Sequence, residues 1–304
     1  MNWYKYAFIV GAYVLCVCDV VANAQNDKEN VSVQRIKVLQ DSTNQDGSID
    51  YFHTLLSQAL DATTKEFGDY SFVRISLPYS QERSLHFLNE RNRLDVMHTM
   101  TNSEREKTYR AVKVPLLKGL MGYRMLITNK RTLAKIQKIT SGESLKSLVA
   151  CQGQHWPDSD ILEYNGFQVA RVVVFEAMYE MLSKGRCDYF PRGIHEAFSE
   201  YTTFIEQYPN LKLVKNVLLH YDAPVYFFVG KTNQYLAQRL ETGLKRLDNT
   251  GRLDALLKNN STTARIFPLE QWQGVRVITL ENPKQDRLID TSRFIKLGSR
   301  TASH

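Results

Sequence analysis

Apolar and polar residues in the first third of the chain follow strand-like and helix-like spacings in turn. Residues 34–39 alternate as a strand does, and the apolar residues of 51–64 recur at helical spacing. A second strand over 72–77, a helix over 81–90 and a short strand over 94–97 follow. The order strand, helix, strand, helix, strand predicts a parallel α/β sheet.

The same pattern begins again near residue 147. It predicts strands over 147–151, 167–172 and 187–190, and helices over 158–165, 175–183 and 194–207. Two successive α/β units, each of about 100 residues, predict two lobes rather than one continuous sheet.

Two extended stretches, 122–128 and 223–230, are expected to connect the lobes. A helical segment over 233–257, broken near Gly251, is expected to pack back on the first lobe. The predicted division is then lobe 1 over 25–123 and 227–304, and lobe 2 over 124–226.

The N-terminus has the layout of a secretory signal peptide over 1–24. Lys5 precedes an apolar run over 7–18, and the Ala-Asn-Ala sequence at 22–24 offers a cleavage site. The apolar run is too short for a membrane span, although an uncleaved anchor is the alternative. We expect cleavage after Ala24 and export to the periplasm.

Cleavage there leaves two of the four cysteines, Cys151 and Cys187. Export favours an oxidising compartment, so a disulfide is expected, with two separate buried thiols as the alternative. Cys151 ends the first predicted strand of the second lobe and Cys187 begins the third. Those strands are neighbours in a parallel unit with the usual switch point.

Charge and motifs exclude several classes of function. The net charge is +7, from 39 Lys and Arg against 32 Asp and Glu, but the basic residues are scattered among acidic ones. Nucleic acid is therefore not expected as a partner, and a mildly basic surface at most favours anionic ligands. The sequence has no GxSxG, HExxH, phosphate-binding loop or GxGxxG. No metal and no cofactor are expected.

Three segments, taken in order, carry a resemblance to a known family. They are NRLDVMHTMTNSEREKTYRAVKVPLLKGL at 92–120, LSKGRCDYFPRGIHEAF at 182–198 and NTGRLDALLKNN at 249–260. Together they resemble periplasmic solute-binding proteins of the type II, amino-acid-binding branch (extracellular solute-binding protein family 3), in an orphan subgroup. The resemblance implies two lobes, each a mainly parallel sheet flanked by helices, joined by two hinge strands. It places the ligand between the lobes, beyond the carboxyl ends of strands.

In the first lobe, the resemblance aligns Arg105 with the family's carboxylate-binding arginine. A guanidinium group suits a carboxylate, and the hydroxyls of Thr99 and Thr101 would add hydrogen bonds. The alternative is a surface arginine in the first turn of a helix.

In the second lobe, Arg192 follows a strand and a proline. Relatives place an acidic residue for the ligand's ammonium group at or next to Gly193, whereas the first acid here is Glu196. An arginine that faces Arg105 would favour a ligand with two anionic groups; the alternative is that Arg192 pairs with Glu196. Trp156, before a helix N-terminus, either stacks on the ligand or packs as a lid.

Four further polar residues call for an interpretation. Asp95 and Asp188 occupy equivalent positions in the two lobes, which favours a repeated architectural role over an acid/base pair. His98 and His155 have no partner at metal-ligand spacing and are expected to be polar lining or loop residues.

The leading hypothesis is a monomeric periplasmic solute-binding protein. It would capture a small anionic or amino-acid-like ligand, carrying a carboxylate, for an ABC importer or a sensor. Two alternatives stay open: an enzyme on the same fold acting on a carboxylate (a dehydratase or lyase using Glu196 or His155), and a protein-binding adaptor without a small ligand. Binding without turnover distinguishes the first.

Overall fold

The computed structural model describes residues 33–40, 48–76, 81–284 and 290–301. The predicted signal peptide and its cleavage after Ala24 lie outside these residues and stay predictions. Within the described ranges, no helix combines the length and the apolar character that crossing a membrane requires.

The strands are β1 (Gln34–Leu39), β2 (Tyr70–Ile75), β3 (Val96–Met100), β4 (Arg110–Val112), β5 (Tyr123–Asn129), β6 (Val149–Gly153), β7 (Gln168–Val172), β8 (Tyr189–Gly193), β9 (Leu211–His220), β10 (Val225–Val229), β11 (Arg276–Thr279) and β12 (Ser299–Thr301). The helices are α1 (Ser48–Asp61), α2 (Thr64–Phe67), α3 (Gln81–His86), α4 (Ser103–Thr108), α5 (Lys130–Gln137), α6 (Gly142–Lys146), α7 (Pro157–Tyr164), α8 (Phe175–Lys184), α9 (Ala197–Ile205), α10 (Gln234–Asn249) and α11 (Arg252–Asn259).

The first lobe is built on β1 to β4 and β10. β1 pairs in parallel with β2, and β10 lies antiparallel between β3 and β4. Helix α10 packs against α1, and Leu240 shares a buried core with Leu55. The late helix therefore returns to the first lobe, as its position after the second crossing predicted.

The second lobe is a seven-stranded sheet in the order β12-β11-β9-β5-β8-β6-β7. β6 is parallel to β7 and β8, whereas β5 runs antiparallel to β8 and β9. β11 and β12 complete this sheet beside β9, although the sequence pattern assigned all of 227–304 to the first lobe. The boundary between the lobes stays a prediction.

Asp95 and Asp188 make the same contact in the two lobes. The Asp95 carboxylate accepts the backbone N–H of Lys37 in β1 (2.7 Å), and that of Asp188 accepts the N–H of Val149 in β6 (2.9 Å). Each aspartate also donates its own N–H to the carbonyl of the same partner residue. The predicted architectural role is confirmed, because each carboxylate connects the start of one strand to its neighbour.

The second lobe contains the predicted disulfide between Cys151 and Cys187. Their Cα atoms lie 5.7 Å apart, and the bond joins positions separated by 36 residues. Cys151 lies in β6 and Cys187 two residues before β8, and these two strands pair in parallel. The bridge is possible because strand neighbours lie within the Cα separation that a disulfide spans.

Candidate functional site

A cavity of about 400 Å³ lies between the two lobes. Thr99, at the end of β3, borders it from the first lobe, and Gly153 and Arg192, at the ends of β6 and β8, border it from the second. Strand ends of both lobes thus meet at one place, which is where α/β sheets bind ligands.

The charge of Arg192 is balanced by two glutamates. Its Nε and Nη2 donate to the two carboxylate oxygens of Glu200 at 2.6 and 2.5 Å, and Nη2 lies 3.1 Å from Glu196. Glu196 and Glu200 are one helical turn apart at the start of α9, so both reach the end of β8. Tyr179 also donates its hydroxyl to Glu200. Arg192 therefore pairs with Glu196, as the alternative interpretation had it, and it pairs at shorter distance with Glu200.

Trp156 is packed and still borders the cavity. Its ring stacks on Phe190 with centroids 6.3 Å apart, and the Arg192 guanidinium lies 5.0 Å from its centroid. A side chain at position 153 would place its Cβ 2.4 Å from the indole ring, so Gly153 is required for this packing. A ligand contact for Trp156 stays a prediction.

Of the two carboxylate oxygens of Glu196, one accepts a hydrogen bond and the other is free. Its Oε2 accepts the N–H of Gly193 at 3.0 Å, and a Cβ at position 193 would lie only 2.7 Å from that atom. The glycine thus leaves room for the carboxylate of Glu196. Among the described residues Oε1 has no hydrogen-bond partner, and His195 Nε2 lies 3.8 Å from it. Burial acts to raise the pKa of Glu196, but Arg192, His195, Arg124 and the Gly193 N–H together outweigh burial, and the pKa falls to about 2.

Arg105 lies one layer behind the cavity wall rather than on it. Its guanidinium donates to Thr99 Oγ1 and the Met100 carbonyl, both at 2.8 Å, and to Gln81 and Glu82 at 3.3 and 3.1 Å. Thr99, Gln81 and Glu82 border the cavity.

Thr101 also lies off the wall and donates its hydroxyl to Glu106 at 2.7 Å. Of the six predicted site residues, the structure brings Thr99, Trp156, Arg192 and Glu196 together around the cavity. Whether any of the six contacts a ligand stays a prediction.

Sequence reasoning missed Arg124, which borders the cavity from β5. Its Nη2 lies 2.7 Å from Asp158 Oδ1, and that oxygen also accepts the hydroxyl of Tyr221 at 2.5 Å. Its other hydrogen bonds are to methionine sulfurs at 3.7 Å, the guanidinium lies 5.1 Å from the centroid of the Tyr221 ring, and Nε has no hydrogen-bond partner within the described part of the chain. The sequence did carry a signal for Arg124, because it is the charged residue of an otherwise uncharged, fully buried strand.

Rings from both lobes form part of the wall. His98 stacks on Phe52 with centroids 3.8 Å apart, and His195 meets the edge of the same ring at 6.5 Å. Burial lowers the pKa of His98 to about 3 and that of His195 to about 4, so both are neutral at pH 7. Across the described ranges, no group of three or more His, Cys, Asp or Glu side chains could hold a metal ion.

No protein-family model matches the chain, and no curated protein matches it in sequence. Solved structures do match. An ancestral arginine-binding protein bound to arginine is 17% identical with a TM-score of 0.52, over 75% of this chain and 98% of that one. The GluR0 ligand-binding core from Nostoc punctiforme in complex with L-glutamate is 14% identical with a TM-score of 0.50, over 76% and 99%.

A third match comes from work on glutathione import via GshT and the cystine ABC importer TcyBC of Streptococcus mutans. It is 14% identical with a TM-score of 0.53, over 75% of this chain and 95% of that one. The chain has the two-lobed fold of type II periplasmic binding proteins. In this type II fold the cavity bordered by Thr99, Arg124 and Glu196 lies in the cleft between the lobes. The fold predicted from the sequence is confirmed.

Proposed function

We propose that the protein is a periplasmic solute-binding protein that holds a small ligand between its lobes for an ABC importer or a sensor. The observation that carries this proposal is the cavity of about 400 Å³, bordered by buried charged groups at the strand ends. A cavity of this size suits a small molecule, since ligand sites typically span roughly 300–1,000 Å³. The solved structures it resembles include proteins bound to arginine and to L-glutamate, which supports an amino-acid-like ligand.

Two of the connections between the lobes support a closing motion. The segment between β4 and β5 and the segment between β9 and β10 run from one lobe to the other, so rotation there would open the cleft. Arg124, Asp158 and Tyr221 join β5, the start of α7 and the second connection in one buried network. A ligand that contacts this network would favour the closed arrangement over the open one.

The polar groups of the cavity suit an amino-acid-like ligand better than one with two anionic groups. Arg105 and Arg192 are both paired with carboxylates of the protein, which disfavours a ligand with two anionic groups. The guanidinium group of Arg124 borders the cavity and can receive a ligand carboxylate, and the free oxygen of Glu196 can receive an ammonium group. We propose Thr99 and Trp156 as further ligand contacts, with Arg105 positioning Thr99 from behind.

An enzymatic role is the weaker candidate. A general base works best with a pKa near the operating pH, whereas the pKa of Glu196 is about 2. His155, the other residue considered for acid/base chemistry, lies exposed at the rim of the cavity. We therefore propose binding without turnover.

Native mass spectrometry of protein exported to a bacterial periplasm tests the proposal. The expected mass is one chain that begins at Gln25 together with one small molecule, which denaturing conditions release. A bare chain from several growth media would contradict solute binding and favour the adaptor alternative. A released mixture of substrate and product would favour the enzyme.

A further inference from the structure

We propose that the C-terminal part of the chain is a strap that ties the two lobes together and restrains the opening of the cleft. The C-terminal strap consists of the described residues 276–284 and 290–301. The inference goes beyond the proposed function, because it concerns how far the lobes of the ligand-free protein can separate.

The strap is anchored in the sheet of the second lobe at both of its ends. β11 pairs in parallel with β9 over four positions, and β12 pairs in parallel with β11. Just beyond β11, Glu281 donates its N–H to the side chain of Asn165 at 3.0 Å and accepts the Asn165 amide group at 2.7 Å. Strand pairing and these two hydrogen bonds make the strap move with the second lobe.

Lys284 joins the strap to both lobes at once. Its carbonyl oxygen accepts the N–H of Ser103, the first residue of α4 in the first lobe, at 3.0 Å. Its ammonium group lies 2.8 Å from Asp160 of α7 in the second lobe. Ser103 has no partner for this N–H inside its own helix, because the first N–H groups of a helix point away from it. The strap therefore supplies a hydrogen bond that α4 cannot make for itself.

A second set of contacts reaches the first lobe at residues 293 and 294. Arg293 pairs with Asp248 of α10, whose side chain is only 12% exposed. The ring of Phe294 lies directly on the backbone of Gly119, since a Cβ at position 119 would be 2.4 Å from the ring. One ion pair and one packed ring thus hold this part of the strap to the first lobe.

The strap then follows the crossing between β4 and β5. Ile295 donates its N–H to the carbonyl of Lys118, and Leu297 donates its N–H to the hydroxyl of Tyr123, both at 2.9 Å. Lys118 lies within the crossing and Tyr123 is the first residue of β5. The strap therefore forms a further connection between the lobes, in contact with one of the two segments about which they would rotate.

These contacts oppose opening whether or not a ligand is bound. Opening requires rotation about the crossings at 113–122 and 221–224. Because the strap is fixed in the second sheet, the same rotation draws it away from Ser103, Asp248 and Gly119. A protein that spends more time closed binds a ligand of the closed form with higher apparent affinity. The strap would thus set the affinity without touching the ligand.

Small-angle X-ray scattering of the ligand-free mature protein tests the inference. The strap variant combines Lys284→Met, Arg293→Met and Phe294→Ala, which removes two ion pairs and the ring on Gly119 but leaves β11 and β12 unchanged. We expect the ratio of open to closed molecules, fitted from the scattering curve, to rise at least about fivefold over the wild type.

A matched control variant combines Lys146→Met, Arg246→Met and Tyr235→Ala. It also removes two ion pairs and one aromatic contact, but each of these contacts lies within a single lobe. The control should leave the ratio within about twofold of the wild type. An unchanged ratio in the strap variant, or an equal rise in the control, would overturn the inference.

Hydrogen exchange on the wild-type protein decides if the strap variant does not fold. Without ligand, the N–H groups of Ser103 and Ile295 should exchange at least about tenfold more slowly than exposed backbone, because each is released only when the strap leaves the first lobe. Exchange at the rate of exposed backbone would overturn the inference. Neither measurement needs a ligand, so each outcome is independent of whether native mass spectrometry supports solute binding.

Discussion

Replacing Arg192 by methionine would remove the cation that two buried glutamates share. The substitution deletes the two hydrogen bonds to Glu200 at 2.5 and 2.6 Å and the contact to Glu196 at 3.1 Å. Methionine retains most of the length of the side chain and can still pack against Trp156 and Phe175. The change therefore tests charge more than volume.

The expected cost follows from the burial of the pair. Arg192 and Glu200 are 6% and 1% exposed, so the two carboxylates left behind cannot be solvated. Removing one partner of a buried ion pair costs about 3–5 kcal/mol. Because single domains are stable by only about 5–15 kcal/mol, this is a large fraction of the whole.

Urea unfolding at pH 7, followed by tryptophan fluorescence and far-UV circular dichroism, measures the loss. The control is Arg171→Met, which removes a partly exposed cation paired with Asp160 and Glu163 and should cost at most about 1 kcal/mol. Adding Glu200→Gln to Arg192→Met should recover part of the loss, because it removes one of the stranded charges. A loss for Arg192→Met no larger than that for Arg171→Met would refute the buried network.

Four further outcomes are expected. The pKa of Glu196 is lowered in the folded protein to about 2, so its stabilisation is present above about pH 4.5 and lost as the pH falls towards 2; urea titrations should show a shallower fall in Glu196→Gln. Reduction of Cys151–Cys187 should cost about 3–4 kcal/mol for a loop of this length, seen by calorimetry, with ligand affinity unchanged since the bond lies within one lobe; two free thiols in exported protein would contradict this. Arg239→Met should cost on the order of 2–3 kcal/mol in urea, because the buried guanidinium donates to three backbone carbonyls at the ends of α1 and α2. Gly193→Ala should clearly lower the ligand affinity and have only a small effect on the melting temperature, because the added Cβ would displace the carboxylate of Glu196. An unchanged affinity would contradict that placement of Glu196.

Regular hydrophobic spacing explains why much of the fold was predictable. The strand predicted over 34–39 coincides with β1, and the helix predicted over 175–183 ends one residue short of α8. β9 was missed because its alternation fails in the middle, where two apolar residues, Leu213 and Val214, are followed by two polar ones, Lys215 and Asn216. Its register with β5 also shifts between Met125 and Leu126, so a period of two does not hold along the whole strand.

The site was less predictable because its charged residues pair with side chains that are distant in sequence. Arg105 looks available in its own segment, and only the fold brings the side chains of Gln81 and Glu82 to it. Glu200 has no local feature that distinguishes it from a solvated helix glutamate. Arg124 was accessible to sequence reasoning, since an arginine inside a buried strand needs a partner and marks a polar site.

A crystal structure of the exported protein, purified with whatever it carries from the periplasm, tests the central claim most directly. The account predicts density for one small molecule in the cleft, in contact with Glu196 and Arg124 and with side chains of both lobes. A closed cleft filled by the protein's own side chains, or a molecule bound outside the cleft, would contradict it.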